Sequence, residues 1–160
     1  MTVNQEIPRY QGVRGWLLIL CLNLTILDPF AMLLSLFSVA NASKPLFDKY
    51  PGLLTLIAVS GIFRLAVAVF SVYAGLALWR VVPGAVAVAR RYLMAVVLYT
   101  VFAFILPALV GLPEELAREI AGSSSVAGLL TISYAFVWYV YLTRSKRVRA
   151  TYQAPVQQES

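Results

Sequence analysis

Four long apolar runs, separated by short polar segments, dominate the pattern of this chain. They cover about residues 15–37, 53–79, 92–112 and 124–142. Each run approaches or exceeds the roughly 20 residues with which an α-helix crosses the hydrocarbon layer of a bilayer. The pattern therefore predicts an all-α integral membrane protein, in which four transmembrane helices form a bundle and residues 1–160 form a single membrane domain.

Composition excludes the water-soluble alternative. Hydrophobic residues make up 61% of the chain and charged residues 12%, whereas soluble domains have about 45–50% and about 25%. A secretory signal is the alternative interpretation of the first run, which is preceded by Arg9 and Arg14. The run continues past Asp28 to Phe37, beyond the roughly 7–15 apolar residues of such a signal, and is therefore predicted to remain as the first helix.

Two places interrupt the helical pattern. Asp28-Pro29 lies within the first run, and proline lacks the amide hydrogen that a helix interior requires. We expect a kink or break there, with Asp28 as the N-cap of a restarted helix. Between the third and fourth runs, Pro113 and residues 114–119 predict a short acidic periplasmic helix that ends at Gly122 and the serines after it. A solvated cap is the favoured interpretation of that helix, and a binding or catalytic acid cluster is the alternative.

Lysine and arginine residues near the run ends predict the topology. Nine lie on one side, in the N-terminal arm, the second connection and the tail of residues 143–160, and three lie on the other. Because positive residues are enriched on the cytoplasmic side, both termini are predicted to be cytoplasmic. The tail residues expected to bind anionic phospholipid headgroups or a partner are Arg144, Lys146, Arg147 and Arg149. Nucleic acid binding is not expected, because the charge is divided among three segments.

Asp28 and Arg64 are the ionisable residues deep within apolar runs. Helical rise places both roughly 20 Å from the cytoplasmic ends of antiparallel helices. We therefore expect them to contact each other, directly or through one water, either as a structural ion pair or as a ligand, ion or partner site. By α-helical spacing Thr25 lies near the Asp28 face, whereas Asn23 does not. Aromatic residues of the fourth run, including Tyr134, suggest anchoring at the headgroup level.

The chain offers little for catalysis. It has no histidine and one cysteine, Cys21, so an internal disulfide is excluded and the commonest general base is absent. No phosphate-binding glycine loop is present. We expect no enzymatic activity, no cofactor and no metal site.

Two segments resemble a known family. Residues 12–18, read as GVRGWLL, open the first helix, and Trp138 to Tyr152, read as WYVYLTRSKRVRATY, close the last. They are similar to the DUF2569 family of bacterial inner-membrane proteins. The resemblance implies a multi-pass protein of the inner membrane with four helices, and it brings no established activity or catalytic residues. Asp28 and Arg64 lie outside the matching segments.

Two functions remain open from the sequence. The leading hypothesis is a non-enzymatic accessory or assembly partner of a larger inner-membrane system, acting with another membrane protein. The alternative is a small oligomeric transporter or channel that uses Asp28 and Arg64.

Overall fold

Residues 15–152 are described by a computed structural model, and within them four helical segments are long and apolar enough to cross a membrane. These spans are Trp16–Leu46, Pro51–Trp79, Ala85–Leu109 and Glu114–Arg144. This part of the chain contains no strand, so the predicted all-α class with four spans is confirmed. The predictions for Arg9, for Arg14 and for residues 153–160 lie outside the described residues.

The first span is assembled from four consecutive helical pieces. They are α1 (Trp16–Leu22), a π-helical segment (Asn23–Leu27), α2 (Asp28–Ser43) and a 3-10 turn (Lys44–Leu46). The other spans are single helices, α3 (Pro51–Trp79), α4 (Ala85–Leu109) and α5 (Glu114–Arg144). A short helix, α6 (Lys146–Tyr152), follows α5 after the extended residue Ser145.

The Asp28-Pro29 step is a change of helical register. The Asp28 N–H donates to the Asn23 carbonyl, five residues back, which is the π-helical pattern. Pro29 has no N–H for the next such bond, to Leu24, and Ser71 Oγ of α3 donates to that carbonyl instead, at 2.7 Å. Asp28 has right-handed helical angles. The chain therefore does not break here.

Asp28 is not an N-cap, so that part of the prediction was wrong. The carboxylate caps no backbone N–H at the start of α2 and accepts its hydrogen bonds from side chains. The physical reason is the π-helical segment, which keeps the chain helical up to Asp28 and leaves no free helix start to cap.

The predicted separate acidic helix was also wrong, because α5 runs without interruption from Glu114 to Arg144. Ser123 donates to the Ile120 carbonyl and Ser125 to the Ala121 carbonyl, so these hydroxyls are satisfied inside the helix and do not end it. The acidic residues are the first turns of the fourth span. The Glu114–Arg118 pair, at 3.1 Å, spans one of these turns.

The helices pack in chain order, α2 on α3, α3 on α4 and α4 on α5, while α2 and α5 make little contact with each other. We call the half that contains α1, Trp79, Ala85 and α6 the terminal half, and the half that contains the connections 44–50 and 110–113 the loop half. The main core lies in the terminal half and includes Leu17, Leu20, Leu24, Leu78, Ala89, Tyr92, Leu93, Trp138, Leu142 and Val148. In the loop half, α2 has no buried residue and the core is reduced to Leu53, Leu56, Ile57 and Leu106.

Candidate functional site

A cavity of about 670 Å³, with both apolar and polar side chains in its walls, lies between α2, α3, α4 and α5. It begins at the level of Asp28 and extends toward the loop half, where it is lined by Pro107 and Ile120. It opens to the surface along α5, where the lining residues Ser123 and Ser124 are exposed. Its polar wall residues are Asn23, Asp28, Ser35, Arg64, Tyr92, Tyr99, Thr100, Ser123, Ser124, Thr131 and Tyr134.

The cavity exists because α5 is held closely on α4 but not on α2. Gly128 lies against the ring of Phe104, and a Cβ at this glycine would be 2.6 Å from the ring. The close contact fixes α5 on the α4 side of the cavity. The Asp28–Tyr134 hydrogen bond joins α2 to α5 at the inner end of the cavity, and beyond it the space between these two helices stays open.

Asp28 is held by three donors from three different elements. Its Oδ2 accepts hydrogen bonds from the Tyr92 hydroxyl of α4 at 3.0 Å and from the Tyr134 hydroxyl of α5 at 3.3 Å. Its Oδ1 accepts from Asn23 Nδ2 of the π-helical segment at 3.3 Å. Asn23 Nδ2 also donates to the Tyr134 hydroxyl. Asp28 thus joins the first, third and fourth spans at the inner end of the cavity.

The π-helical register explains why Asn23 reaches Asp28. The two residues are five apart, and in a π-helix this separation is close to one turn, whereas in an α-helix it places side chains on different faces. The expectation that Thr25 would lie beside Asp28 was therefore wrong. Thr25 Oγ1 donates to the Cys21 carbonyl at 2.7 Å, and the side chain packs where Gly75 of α3 leaves room for it.

Arg64 lies in the wall of the same cavity but has different partners. Its Nη1 donates to Ser35 Oγ of α2, and its guanidinium carbon lies 5.9 Å from the centroid of the Tyr99 ring. The Tyr99 hydroxyl donates in turn to the Ser60 carbonyl at 3.4 Å. Among residues 15–152, no carboxylate forms an ion pair with Arg64.

The predicted direct contact between Asp28 and Arg64 is therefore not formed. The reason is the competition of nearer hydrogen-bond partners, since Asp28 is held on the side of α4 and α5 and Arg64 on the side of α2. Both residues nevertheless line the same cavity. A bridge through one water stays a prediction.

Tyr92 and Tyr134 are the site residues that sequence reasoning missed. Tyr134 was interpreted as part of an aromatic belt, and Tyr92 was not singled out. Tyr92 is fully buried. A buried tyrosine hydroxyl needs a polar partner, so the position of Tyr134 in the middle of the fourth run was an available signal, whereas Tyr92, at the start of the third run, gave none.

The short helix α6 packs against the terminal end of the bundle. Its first turn is capped by Ser145, whose Oγ accepts from the Val148 N–H at 3.5 Å. Val148 is buried in the main core, and the Tyr152 hydroxyl donates to the Leu78 carbonyl at 2.7 Å. Burial raises the pKa of Tyr152 above its ordinary value, which keeps the hydroxyl protonated as a donor. This part of the tail is thus an integral piece of the fold.

The basic residues of the tail surround this helix. Arg144, Lys146 and Arg149 are exposed, and Arg149 Nη2 donates to the Thr143 carbonyl at 3.4 Å. Arg147 is half-buried and lies beside Gly15. The four predicted headgroup-binding or partner-binding residues are therefore close together in the chain at one end of the bundle.

The chemistry of the cavity is hydrogen bonding and charge. Within residues 15–152, no group of three or more histidine, cysteine, aspartate or glutamate side chains is placed to hold a metal ion. The walls instead offer a guanidinium group, a carboxylate with three donors and several hydroxyls. This arrangement is suited to binding a polar or charged group within the membrane.

Comparison with known proteins identifies the family of this chain. No curated protein and no solved structure matches the chain. The model of a family described as protein of unknown function (DUF2569) matches residues 10–153, which is nearly the whole chain. The chain of four membrane spans described above therefore belongs to the DUF2569 family.

Proposed function

We propose that this protein is a non-enzymatic accessory component of a larger system in the bacterial inner membrane. The observation that supports the proposal best is the state of α2, which packs on α3 but contains no buried residue. The other spans have between four and eleven buried residues in their long helices. A helix so weakly included in its own bundle is suited to contact with a second membrane protein.

The outer side of α2 is apolar and exposed, so it can contact a second membrane helix. Phe30, Leu34 and Phe37 are exposed by 65%, 57% and 67%. Packing between membrane helices is driven by van der Waals contact and interhelical hydrogen bonds, because lipid tails are as apolar as the side chains. The partner is therefore a membrane helix that fits this surface.

Photo-crosslinking in intact cells tests this proposal. A photoreactive amino acid replaces Leu34 of α2 in one variant and Leu98 of α4, which is exposed by 68%, in the control. We expect a protein adduct of constant mass from position 34 and lipid adducts alone from position 98. Lipid adducts alone from both positions, together with recovery of the chain without a partner in mild detergent, would overturn the proposal.

A second candidate is the small oligomeric transporter or channel. The cavity of about 670 Å³, with Asp28 and Arg64 in its walls, favours it. The terminal half opposes it, because Leu17, Leu20 and Leu24 are fully buried there and a path through the subunit would have to part them. Flux of ions and small solutes into liposomes that contain the protein, compared with empty liposomes, is the test. Flux no higher than in empty liposomes removes the candidate.

The proposed orientation has both termini in the cytoplasm, supported by the nine-to-three distribution of lysine and arginine between the two sides. Reporters fused after Ser160 and within Pro83 to Val88 are expected to be cytoplasmic. A reporter within Ala42 to Asp48 is expected to be periplasmic. In this orientation the cavity extends toward the periplasm. A periplasmic C-terminus would reverse the assignment.

The basic tail residues are proposed to bind anionic phospholipids of the inner leaflet. The exposure of Arg144, Lys146 and Arg149 beside the membrane end of α5 supports this role, and docking of a partner is the alternative. Neutralising Arg144, Lys146, Arg147 and Arg149 together should reduce the protein's enrichment of anionic lipid in mixed-lipid nanodiscs. Unchanged enrichment with loss of a co-purifying protein would favour the alternative.

A further inference from the structure

We propose that the cavity is a binding site for an oxyanion, a phosphate or carboxylate group, with Arg64 as its counter-charge. This inference is independent of the accessory role, because the partner contact uses the outer side of α2 and the oxyanion site uses the inner space between α2 and α5.

The Arg64 guanidinium has no counter-charge among residues 15–152. Arg64 lies near the middle of α3, thirteen positions after Pro51 and fifteen before Trp79, far from either end of the span. One of its five N–H donors binds Ser35, and within residues 15–152 no carboxylate neutralises it. A positive charge at this depth is costly unless it is paired or faces a wet cavity.

Asp28 does not supply the missing negative charge. The carboxylate is in the same cavity, but its oxygens already accept hydrogen bonds from Tyr92, Tyr134 and Asn23. These donors hold it at the inner end of the cavity, on the side of α4 and α5. The guanidinium therefore keeps its remaining donors for another acceptor.

The cavity beside Arg64 has room for a ligand. The cavity volume of about 670 Å³ accommodates a ligand of considerable size. The hydroxyls of Ser35 and Ser124 line it and donate no hydrogen bond within the described part of the chain. A guanidinium with hydroxyl donors nearby is the arrangement that binds phosphate and carboxylate groups, since two parallel N–H donors match two oxygens of the anion.

The oxyanion can come from two sources. A free anion can enter from the loop half, where the exposed Ser123 and Ser124 line the opening. A lipid with a phosphate headgroup can enter from the side, because α2 and α5 make little contact beyond the Asp28–Tyr134 hydrogen bond. In both cases the same group, the oxyanion, contacts Arg64.

Thermal unfolding of the full-length protein in dodecyl maltoside micelles, whose head groups contain no phosphate or carboxylate, is the experiment. The probes are inorganic phosphate, acetate and short-chain phosphatidic acid, each compared with sodium chloride at equal ionic strength. We expect a saturable rise of the melting temperature with at least one probe. Inorganic phosphate or acetate as the effective probe would identify a free anion as the source, and phosphatidic acid alone would identify a lipid.

Three variants assign the effect to Arg64. Arg64→Gln should weaken binding of the effective probe roughly tenfold or more, because it removes a charge-assisted hydrogen bond. Arg64→Lys keeps the charge but loses the pair of parallel N–H donors, so its affinity should lie between those of the unmodified protein and Arg64→Gln. Arg118→Gln, at an exposed arginine paired with Glu114 outside the cavity, should bind like the unmodified protein.

The proposal does not depend on the stability of Arg64→Gln, because the unmodified protein and Arg64→Lys already decide it. No saturable shift of the unmodified protein with any of the three probes would overturn the oxyanion site. So would equal affinity in the unmodified protein and Arg64→Gln. Failure of this test leaves the crosslinking test of the accessory role unaffected, since the two use different surfaces.

Discussion

The terminal half and the loop half are built from the same four spans, yet one is closed and the other is open. In the terminal half, Leu17, Leu20, Leu24 and Tyr92 are fully buried, and α6 adds Val148 to the same core. In the loop half, α2 has no buried residue and separates from α5 around the polar cavity. The Asp28 hydrogen bonds lie at the boundary between the two.

The comparison shows how one irregular segment divides a bundle into two environments. On one side of Asp28, the π-helical segment approaches α3 closely, where Gly75 leaves room for Thr25 and Ser71 binds the Leu24 carbonyl. On the other side, the contacts of α2 with α3 leave every α2 side chain at least partly exposed. Stability is therefore expected to reside mainly in the terminal half and binding in the loop half.

The largest difference between the halves is expected from leucine truncation. Leu20→Ala removes a fully buried side chain from the terminal core, and we expect a loss of about 2–5 kcal/mol in the free energy of unfolding. Leu34→Ala, at a site exposed by 57% on α2, should change it by less than about 0.5 kcal/mol. Equilibrium unfolding in mixed detergent micelles measures both. Equal losses would show that the halves do not differ in this way.

Two glycines give the next comparison. A Cβ at Gly75 would collide with Thr25 and lie 3.2 Å from the backbone carbon of Leu24, so Gly75→Ala should cost about 1–3 kcal/mol. Gly122 of α5 has no neighbour within 4 Å of such a Cβ, and Gly122→Ala should stabilise the helix by up to about 1 kcal/mol. The two melting temperatures should move in opposite directions. A Gly75→Ala variant as stable as the unmodified protein would mean that the close approach of α3 to the π-helical segment does not contribute to stability.

The boundary itself is tested by removing one hydroxyl. Tyr134→Phe deletes a donor to Asp28 and an acceptor for Asn23, and we expect a loss of about 1 kcal/mol because the carboxylate keeps two other donors. Tyr139→Phe is the matched control on the same helix, since the Tyr139 hydroxyl makes no hydrogen bond with any of residues 15–152 and its side chain is 37% exposed. An equal loss of unfolding free energy in both variants would show that the Tyr134 hydroxyl does not stabilise the Asp28 site.

Span number and fold class could be predicted from the sequence, while the irregular details could not. Each apolar run was long enough to identify a membrane helix without tertiary information. Gly122 and the serines of α5 suggested an end because such residues often end helices, but Ser123 and Ser125 bind carbonyls of their own helix. The π-helical register depends on Ser71 of another helix, a contact that local sequence does not contain.

In the candidate site, the sequence indicated the two charged residues but not their hydrogen-bond partners. Asp28 and Arg64 stood out because ionisable residues in apolar runs are rare and face protein interiors or cavities, and both line the cavity. Their partners depended on helix rotation. Tyr92, Tyr134 and Asn23 compete for Asp28, and Ser35 for Arg64, so opposite charge and matched depth were insufficient to predict the pairing.

The smallest expected effect is the coupling between Asp28 and Arg64. The two side chains share no hydrogen-bond partner, so the losses from Asp28→Asn and Arg64→Gln should add in the double variant to within about 0.5 kcal/mol. The free energy of unfolding of the four proteins, measured in detergent buffer without phosphate or carboxylate, gives the coupling. A double variant more stable than the sum by over about 1 kcal/mol would instead indicate an interaction through water, because removing both charges of a pair costs less than leaving one alone. Repeating the cycle in the presence of the oxyanion adds a further comparison, since a bound anion should stabilise the proteins that retain Arg64 more than those that carry Arg64→Gln.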